Sequence, residues 1–237
     1  MSRPAVLELR ALRKAYGAVL ALEQLDLTVS SGECVALIGH NGSGKTTALR
    51  LASGQLEPTA GTVRVAGLDV HRDPRDPRAR ARVAFVPDSP VLYGDLTVAE
   101  HLQLVALAHG LGAAAGARAA ALLEQLGLAD RADFLPPWLS HGMRQKVQLA
   151  CALLRPFSVL LLDEPVVGLD PPSQAALQAQ LRRCKRRGAA LLLSTHQLPW
   201  VADLADRAVI LSDGRVVDQG PYHQVVAGDT ATRLGLR

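Results

Sequence analysis

One short segment, residues 39–46, constrains the fold more than any other part of this chain. It reads GHNGSGKT and fits the pattern G-x-x-x-x-G-K-[ST], in which glycines let consecutive backbone N–H groups curl around phosphate oxygens. The run at 33–38 predicts a buried strand before the loop, and the run at 46–52 predicts a helix after it. Because a helix N-terminus carries about half a positive charge, phosphates are expected where the loop meets the helix.

Two side chains of this loop are expected to act on a bound triphosphate. Lys45 would reach the β- and γ-phosphates, and the Thr46 hydroxyl would ligate Mg²⁺. The predicted ATP-binding residues are Gly39, His40, Asn41, Gly42, Ser43, Gly44, Lys45, Thr46 and Thr47. Phosphate binding alone leaves kinases, GTPases and ATP-driven motors open, so the downstream segments must decide between them.

A second apolar run, residues 159–162, ends in two carboxylates, Asp163 and Glu164. Such a run is typical of a central parallel strand, whose C-terminal end faces the ligand crevice of the sheet. We expect Asp163 to hold Mg²⁺, directly or through water, and Glu164 to polarise the attacking water as a general base. Acidic residues also end strands simply because loops are solvated, but the phosphate loop upstream favours the catalytic interpretation.

A histidine is predicted to reach the same crevice. His196 follows the apolar run at 189–193, so it stands at the C-terminal edge of a further strand. A neutral imidazole donates one hydrogen bond and accepts another. His196 is therefore expected to contact the γ-phosphate and to help position water.

The segment LSHGM at residues 139–143 discriminates among the classes of nucleotide hydrolase. Helical periodicity follows it in residues 144–154, and Pro156 lies just past the end of that pattern. Ser140 and Gly142 therefore lie at a helix start. This start is a second anion-binding helix N-terminus, separate from the phosphate loop.

In the order and spacing of these segments the chain resembles the nucleotide-binding subunit of ATP-binding cassette (ABC) transporters over nearly its whole length. The resemblance implies that residues 39–46 are the Walker A loop, residues 139–143 the signature motif and residues 159–164 the Walker B strand. It implies that residues 168–171 are the D-loop and that His196 is the switch histidine. It also implies that Tyr16 stacks on adenine, although a tyrosine is also a common strand residue. Asp170 is the acidic residue of the D-loop.

The resemblance further implies how the active site is assembled. Two cassettes, identical or different, pair head to tail, and each ATP lies between the Walker A loop of one subunit and the signature helix of the other. The residues expected to contact the partner's ATP are Ser140, His141, Gly142 and Met143. ATP binding then closes the pair and hydrolysis opens it, which is a two-state switch biased by a ligand.

Three features depart from the usual family pattern. Asp88, in the segment Val-Pro-Asp, stands where a glutamine is common, and its carboxylate is expected to bind Mg²⁺ or a water of that ion. The signature reads Ser-His-Gly-Met in place of Ser-Gly-Gly-Gln, and Val166 and Val167 precede the D-loop where polar residues are usual. These variants look like those of bacterial exporters for drugs, lipids or polysaccharides.

Strands that alternate with helices predict an α/β fold with a mostly parallel sheet. We expect a P-loop NTPase core, an N-terminal antiparallel β subdomain and an inserted α-helical subdomain. The whole chain, 1–237, is predicted to be one ABC ATPase domain. Residues 1–95 and 156–237 would form the catalytic core, and residues from about 96 to 155 the helical subdomain, which would dock the membrane subunit together with the loop at Asp88.

Composition agrees with this interpretation. A chain of 237 residues can bury one sizeable core with a smaller attached lobe. The charged, proline-broken start predicts no signal peptide, and no segment offers the roughly 20 predominantly apolar residues of a membrane span. Cys34, Cys151 and Cys184 lack metal-ligand spacing and are expected to be small buried residues in a reducing compartment. We therefore expect a cytoplasmic protein, peripheral on the inner face of the cell membrane and bound to an integral membrane permease.

Two alternatives to a transporter subunit follow from the sequence. Basic runs at 72–82 and 182–187 suggest a nucleic-acid partner. However, the net charge is only +4 and aromatic residues for base stacking are scarce, so no nucleic-acid partner is expected. A solvated face explains the runs better, with anionic lipid as the minority alternative.

A soluble ABC ATPase acting on DNA or ribosomes is the competing function, although such relatives usually carry two cassettes or a long coiled-coil insertion. The signature segment disfavours a small P-loop kinase or GTPase. The sequence thus predicts an ATP-hydrolysing subunit that powers a separate permease, for export.

Overall fold

The structure is a computed structural model, and it describes residues 3–73 and 77–235. In this part of the chain one sheet contains the strands β1 (Ala5–Tyr16), β2 (Val19–Ser30), β3 (Cys34–Ile38), β4 (Ala60–Val65), β5 (Leu68–Asp69), β6 (Val83–Val86), β7 (Val159–Asp163), β8 (Ala190–Ser194), β9 (Arg207–Ser212) and β10 (Arg215–Pro221). Their order across the sheet is β5-β4-β1-β2-β10-β9-β3-β8-β7-β6. This sheet and the helices that alternate with its strands confirm the predicted α/β fold class.

The described helices are α1 (Lys45–Ser53), α2 (Val98–Ala108), α3 (Ala115–Gln125), α4 (His141–Leu154), α5 (Pro171–Arg186), α6 (Leu198–Val201), α7 (Tyr222–Ala227) and α8 (Asp229–Arg233). The chain divides into two compact units. The first comprises Met1–Phe85, Phe157–Glu164 and Leu181–Arg237, and the second comprises Val86–Pro156 and Pro165–Gln180. The division into a catalytic core and a helical subdomain, with the boundaries predicted above, stays a proposal.

One side of the sheet in the first unit, formed by β3, β8 and β7, is parallel and apolar. Strands β3, β7 and β8 are buried along their whole length, as strands covered on both faces must be. β8 lies between the other two and pairs parallel with both, so that Ser194 stands beside Leu37 on one side and Asp163 on the other. Their C-terminal ends therefore meet at one edge of the sheet.

The strands on the other side of the first unit's sheet, from β5 to β9, pair mainly antiparallel, as the sequence predicts for the N-terminal part. β1 pairs antiparallel with β2 and with β4, and the inward residues of β2 alternate with exposed ones. β9 and β10 form a hairpin, and its turn residues Asp213 and Gly214 both have positive φ, 49° and 75°. This pair of left-handed residues matches the twist of the flanking strands.

The second unit contains the predicted helices. A capping box begins α2, in which the Thr97 hydroxyl accepts from the Glu100 N–H and the Glu100 carboxylate accepts from the Thr97 N–H. Among the described helices, none combines the length and the apolar character needed to cross a bilayer.

One expectation about the cysteines is wrong. Cys34 and Cys151 are buried, but Cys184 is only partly covered, because it lies in the last turns of α5 beyond the buried Leu181. The basic run at 182–187 is in part neutralised by ion pairs within the first unit: Arg182 with Asp203 at 3.5 Å, and Lys185 with Asp206 at 2.7 Å. Residues 74–76 of the other basic run, and residues 1–2 of the start, lie outside the described residues.

Leu192, at the middle of β8, provides a test of the packing. Replacement by alanine removes a fully buried side chain from the parallel part of the sheet, so we expect Leu192→Ala to lower the free energy of unfolding by about 2–5 kcal/mol. The matched control is Leu107→Ala, which truncates a leucine that is 72% exposed and should change stability by no more than about 0.5 kcal/mol. Urea unfolding followed by circular dichroism measures both, and equal effects would contradict the assigned packing.

Candidate functional site

The phosphate loop joins β3 to α1 in the first unit, as predicted. Gly44 caps α1 with φ 105°, and a Cβ atom there would lie 2.7 Å from the Ala21 carbonyl oxygen. A Cβ atom on Gly39 would lie 2.2 Å from the Leu211 carbonyl oxygen. No described side chain caps α1, so its first N–H groups remain available to an anion.

Lys45 is buried at the start of α1, with its ammonium group folded onto the loop. Its Nζ donates to the carbonyl oxygens of Gly39 at 2.6 Å and His40 at 2.9 Å. Burial lowers the pKa of Lys45 below its ordinary value, and the charges of Glu164 and Asp163 partly offset that effect. The loop therefore holds a cation whose hydrogen bonds to neutral carbonyls can be exchanged for stronger ones to phosphate.

Asp163, the last residue of β7, presents an unpaired oxygen at the same sheet edge. The residue is 1% exposed, and its Oδ1 accepts a hydrogen bond of 2.5 Å from the Ser194 hydroxyl. Its Oδ2 is buried and has no hydrogen-bond partner among the described residues. A buried carboxylate oxygen without a partner is costly, so this atom fits a ligand for a cation or its water.

Glu164 follows directly and adopts an unusual backbone conformation. Its φ is +44°, in the left-handed region that non-glycine residues rarely occupy and that clusters at functional sites. The Glu164 Oε2 atom lies 2.8 Å from the Nδ1 atom of His196 and accepts a hydrogen bond from the His196 N–H at 3.3 Å. With Nδ1 directed at the carboxylate, the Nε2 atom of the mostly exposed imidazole remains available for a ligand.

A cavity of about 550 Å³ opens beside these groups. It is lined by Ile38, Gly39, His40, Asn41, His196, Leu198 and Gly235. The cavity is therefore bounded in part by the turn that follows α8, where the Leu234 carbonyl oxygen lies 2.5 Å from the Nε2 atom of His40. Motif reasoning missed this contribution, because a backbone carbonyl far along the chain leaves no local sequence signal.

Tyr16 ends β1 and is half exposed. The Lys14 Nζ atom lies 5.1 Å from the centre of its ring. The ring is therefore accessible, and its predicted stacking on adenine stays a prediction.

The second unit carries the signature segment at the start of α4. Ser140 caps that helix, with its hydroxyl accepting from the Met143 N–H at 3.2 Å, and both Ser140 and His141 are exposed. A Cβ atom on Gly142 would lie 2.2 Å from the Gly168 carbonyl oxygen, so only glycine fits where the signature segment meets the D-loop.

A second contact joins the same two segments. The Lys146 Nζ atom lies 3.2 Å from the Oδ2 atom of Asp170. Sequence reasoning missed Lys146, because a lysine one turn into a helix suggests only a solvated side chain, whereas here it is largely buried. The signature helix and the D-loop thus behave as one structural element within this unit.

Asp170 also caps α5. Its Oδ1 atom accepts from the Ser173 N–H at 2.8 Å and from the Ser173 hydroxyl at 2.7 Å. These hydrogen bonds from Ser173, with a smaller contribution from Lys146, lower the pKa of Asp170 to about 2.

Asp88 lies exposed in the loop after β6, also in the second unit. The neighbouring Pro87 carbonyl accepts a hydrogen bond from the Gln145 side chain at 3.3 Å.

The structure brings Lys45, Asp163, Glu164 and His196 together in the first unit, whereas the signature residues, Asp170 and Asp88 belong to the second. No cluster of three or more His, Cys, Asp or Glu able to hold a metal occurs in the described part of the chain.

Comparison with known proteins gives one consistent family. Residues 22–167 match the model of the family described as ABC transporter. The Nod factor export ATP-binding protein I of Cupriavidus metallidurans is 36% identical over 223 residues, which cover 94% of this chain and 73% of that protein.

Two solved structures are similar over almost the whole chain. An ATP-binding subunit of an ABC transporter superposes with a TM-score of 0.86 at 38% identity, covering 98% of this chain and 94% of that one. A dimeric ATP-binding cassette in a post-hydrolysis state, bound to ADP and Pi, superposes with a TM-score of 0.84 at 25% identity, covering 91% of this chain and 98% of that one.

The cap of α5 gives a pH-dependent prediction. Because the folded pKa of Asp170 lies below its ordinary value, its ionised form stabilises the fold above about pH 4, and this contribution is lost as the pH falls through about 2. We expect the carboxyl ¹³C resonance of Asp170 to titrate near pH 2, and Ser173→Ala to move the midpoint towards 3.8. An unchanged midpoint in Ser173→Ala would contradict the cap geometry.

Proposed function

This chain belongs to the ABC transporter family and is an ATPase of that family, and we propose that it energises a separate membrane permease for export. The observation that carries the chemistry is the meeting of three features at one sheet edge. These are the start of α1, which no described side chain caps and which holds the buried Lys45, the unpaired Oδ2 atom of Asp163, and the Glu164–His196 pair.

In the proposed reaction each residue of the first unit has one task. The loop N–H groups and Lys45 hold the phosphates of ATP, while Tyr16 stacks on the adenine. Glu164 accepts a proton from the attacking water, and His196 holds the Glu164 carboxylate and contacts the γ-phosphate. Thr46 and Asp163 would hold Mg²⁺, which neutralises charge on the phosphates, and we assign Asp88 to the same ion or its water.

The proposal includes a second cassette, identical or different. Ser140 and the start of α4 form an exposed anion-binding helix N-terminus, separate from the phosphate loop along the chain. A head-to-tail pair would bring this signature segment of one subunit to the ATP of the other and form two equivalent sites. The dimeric cassette bound to ADP and Pi, which this chain resembles, supports pairing.

The second unit carries the side chains that we assign to permease docking. Val91, Tyr93, Leu104 and Leu107 are large apolar residues with more than two fifths of their surface exposed. The His101 imidazole accepts from the Tyr93 N–H at 2.9 Å, which fixes the Tyr93 loop to α2. Exposed apolar side chains of this kind suit the cytoplasmic helices of a membrane protein.

A peripheral position on the inner face of the cell membrane follows from permease docking. The export assignment rests on the relative named for Nod factor export. That name favours a transporter role over the competing soluble ATPase acting on DNA or ribosomes.

Glu164→Gln tests the proposed chemistry. The amide cannot accept a proton, so turnover should fall by about 10²–10⁴-fold while ATP binding persists, and a closed dimer should accumulate with ATP. The contrasting variant, Lys45→Ala, should weaken ATP binding itself by about 10- to 100-fold. Phosphate release, nucleotide titration and size-exclusion chromatography separate the two outcomes. Substantial hydrolysis by Glu164→Gln would assign water activation to another group.

Co-purification from detergent-solubilised membranes tests the permease proposal. An integral membrane protein should be recovered with the wild-type chain, and Tyr93→Glu should reduce that recovery at least several-fold because it places a charge on the docking surface. Val217→Glu alters an exposed apolar residue of β10 in the first unit and should leave recovery unchanged. Recovery with ribosomes or DNA, and without a membrane protein, would support the competing function.

A further inference from the structure

Ser194 occupies a central place in the first unit that its sequence context does not reveal. It ends β8, between the strand that enters the phosphate loop and the strand that ends in Asp163. Its side chain is fully buried, and the adjacent Thr195 N–H donates to the Leu37 carbonyl at 3.2 Å. The hydroxyl is therefore held among the backbones of all three strands.

The hydroxyl makes two hydrogen bonds, one to each carboxylate residue at the end of β7. It donates to the Oδ1 atom of Asp163 at 2.5 Å and accepts from the Glu164 N–H at 2.9 Å. A serine hydroxyl has a single proton, so that proton is committed to Asp163. A hydrogen bond to an ionised carboxylate is about twice as strong as one between neutral groups.

The first bond orients the carboxylate that we assign to Mg²⁺. With Oδ1 occupied by Ser194, the Oδ2 atom is the one left without a partner among the described residues. Without the hydroxyl, both oxygens of the buried Asp163 would lack their partner and the carboxylate would be free to rotate. Groups that orient a metal ligand in this way tune the affinity for the ion.

The second bond holds the backbone that presents the proposed general base. Glu164 has a φ of +44°, a conformation that persists only where the surroundings enforce it. The hydrogen bond from its N–H to Ser194 is such a restraint, and the Glu164 side chain meets His196 two residues beyond Ser194. One hydroxyl thus restrains both carboxylates.

We propose that Ser194 is a positioning residue that sets the orientation of Asp163 towards the divalent cation and fixes the backbone of Glu164. This inference rests on the proposed function of those two residues and extends it to the side chain that hydrogen-bonds to both of them. A merely structural serine would affect stability alone. A positioning serine affects metal affinity and turnover while leaving metal-free nucleotide binding intact.

The test compares Ser194→Ala and Ser194→Thr with the control Ser53→Ala, which removes a buried hydroxyl at the end of α1, where it donates to the Arg50 carbonyl at 2.9 Å. The probe is Mn²⁺, whose binding in the presence of a non-hydrolysable ATP analogue is measured by electron paramagnetic resonance. Ser194→Ala should weaken Mn²⁺ binding by about 10- to 100-fold. Its affinity for a fluorescent ATP analogue in EDTA should match the wild type within about twofold, whereas KM for the metal–ATP complex should rise by a factor similar to the loss of Mn²⁺ affinity, and kcat should fall.

Ser194→Thr keeps the hydroxyl and should restore most of the Mn²⁺ affinity, whereas Ser53→Ala should bind Mn²⁺ as the wild type does. If Ser194→Ala does not fold, Ser194→Cys replaces it, because the weaker S–H donor should also weaken Mn²⁺ binding. Wild-type Mn²⁺ affinity in the folded Ala or Cys variant would overturn this inference alone. If the wild-type chain with the analogue does not bind Mn²⁺, the proposed metal site fails together with it.

Discussion

The burial of opposite charges at the end of an apolar parallel sheet is the constraint on which the rest of this structure depends. Lys45, at the start of α1, and Asp163, at the end of the aliphatic strand β7, are both almost inaccessible to solvent. Charges removed from water are costly unless they are paired and hydrogen-bonded. Here Lys45 is satisfied by loop carbonyls and half of Asp163 by Ser194, which leaves one carboxylate oxygen for a ligand. The fold thus contributes part of the stabilisation, and a bound nucleotide with its cation would contribute the remainder.

Local patterns in the sequence predict the elements of this site well. The phosphate loop and the Asp163–Glu164 strand end each depend on the chemistry of a few neighbouring residues. The same holds, outside the site, for the hairpin turn at Asp213 and the Thr97 cap. These features can be read from the sequence because the residue types that form them have few other conformational uses.

Contacts between distant segments could not be predicted in the same way. Ser194 is one polar residue at the end of a leucine run, and nothing beside it indicates that its hydroxyl bonds to Asp163. The contact of His40 with the Leu234 carbonyl joins positions almost two hundred residues apart, through a backbone atom that every residue carries. Cys184 shows the related limit for burial, because a helix near its end turns part of its apolar face to solvent.

The second unit shows why its motifs have to be considered as a group. Gly142 leaves no space between the signature segment and the Gly168 carbonyl, and Lys146 joins the same helix to Asp170, which in turn caps α5. A displacement of the signature helix therefore moves the D-loop with it, since close-packed segments transmit strain. In the proposed dimer, a movement of the signature segment that contacts the partner's ATP would thus be transmitted to the start of α5. The departures from the usual signature at His141 and Met143 leave this framework intact, because the position that packs against Gly168 is still glycine.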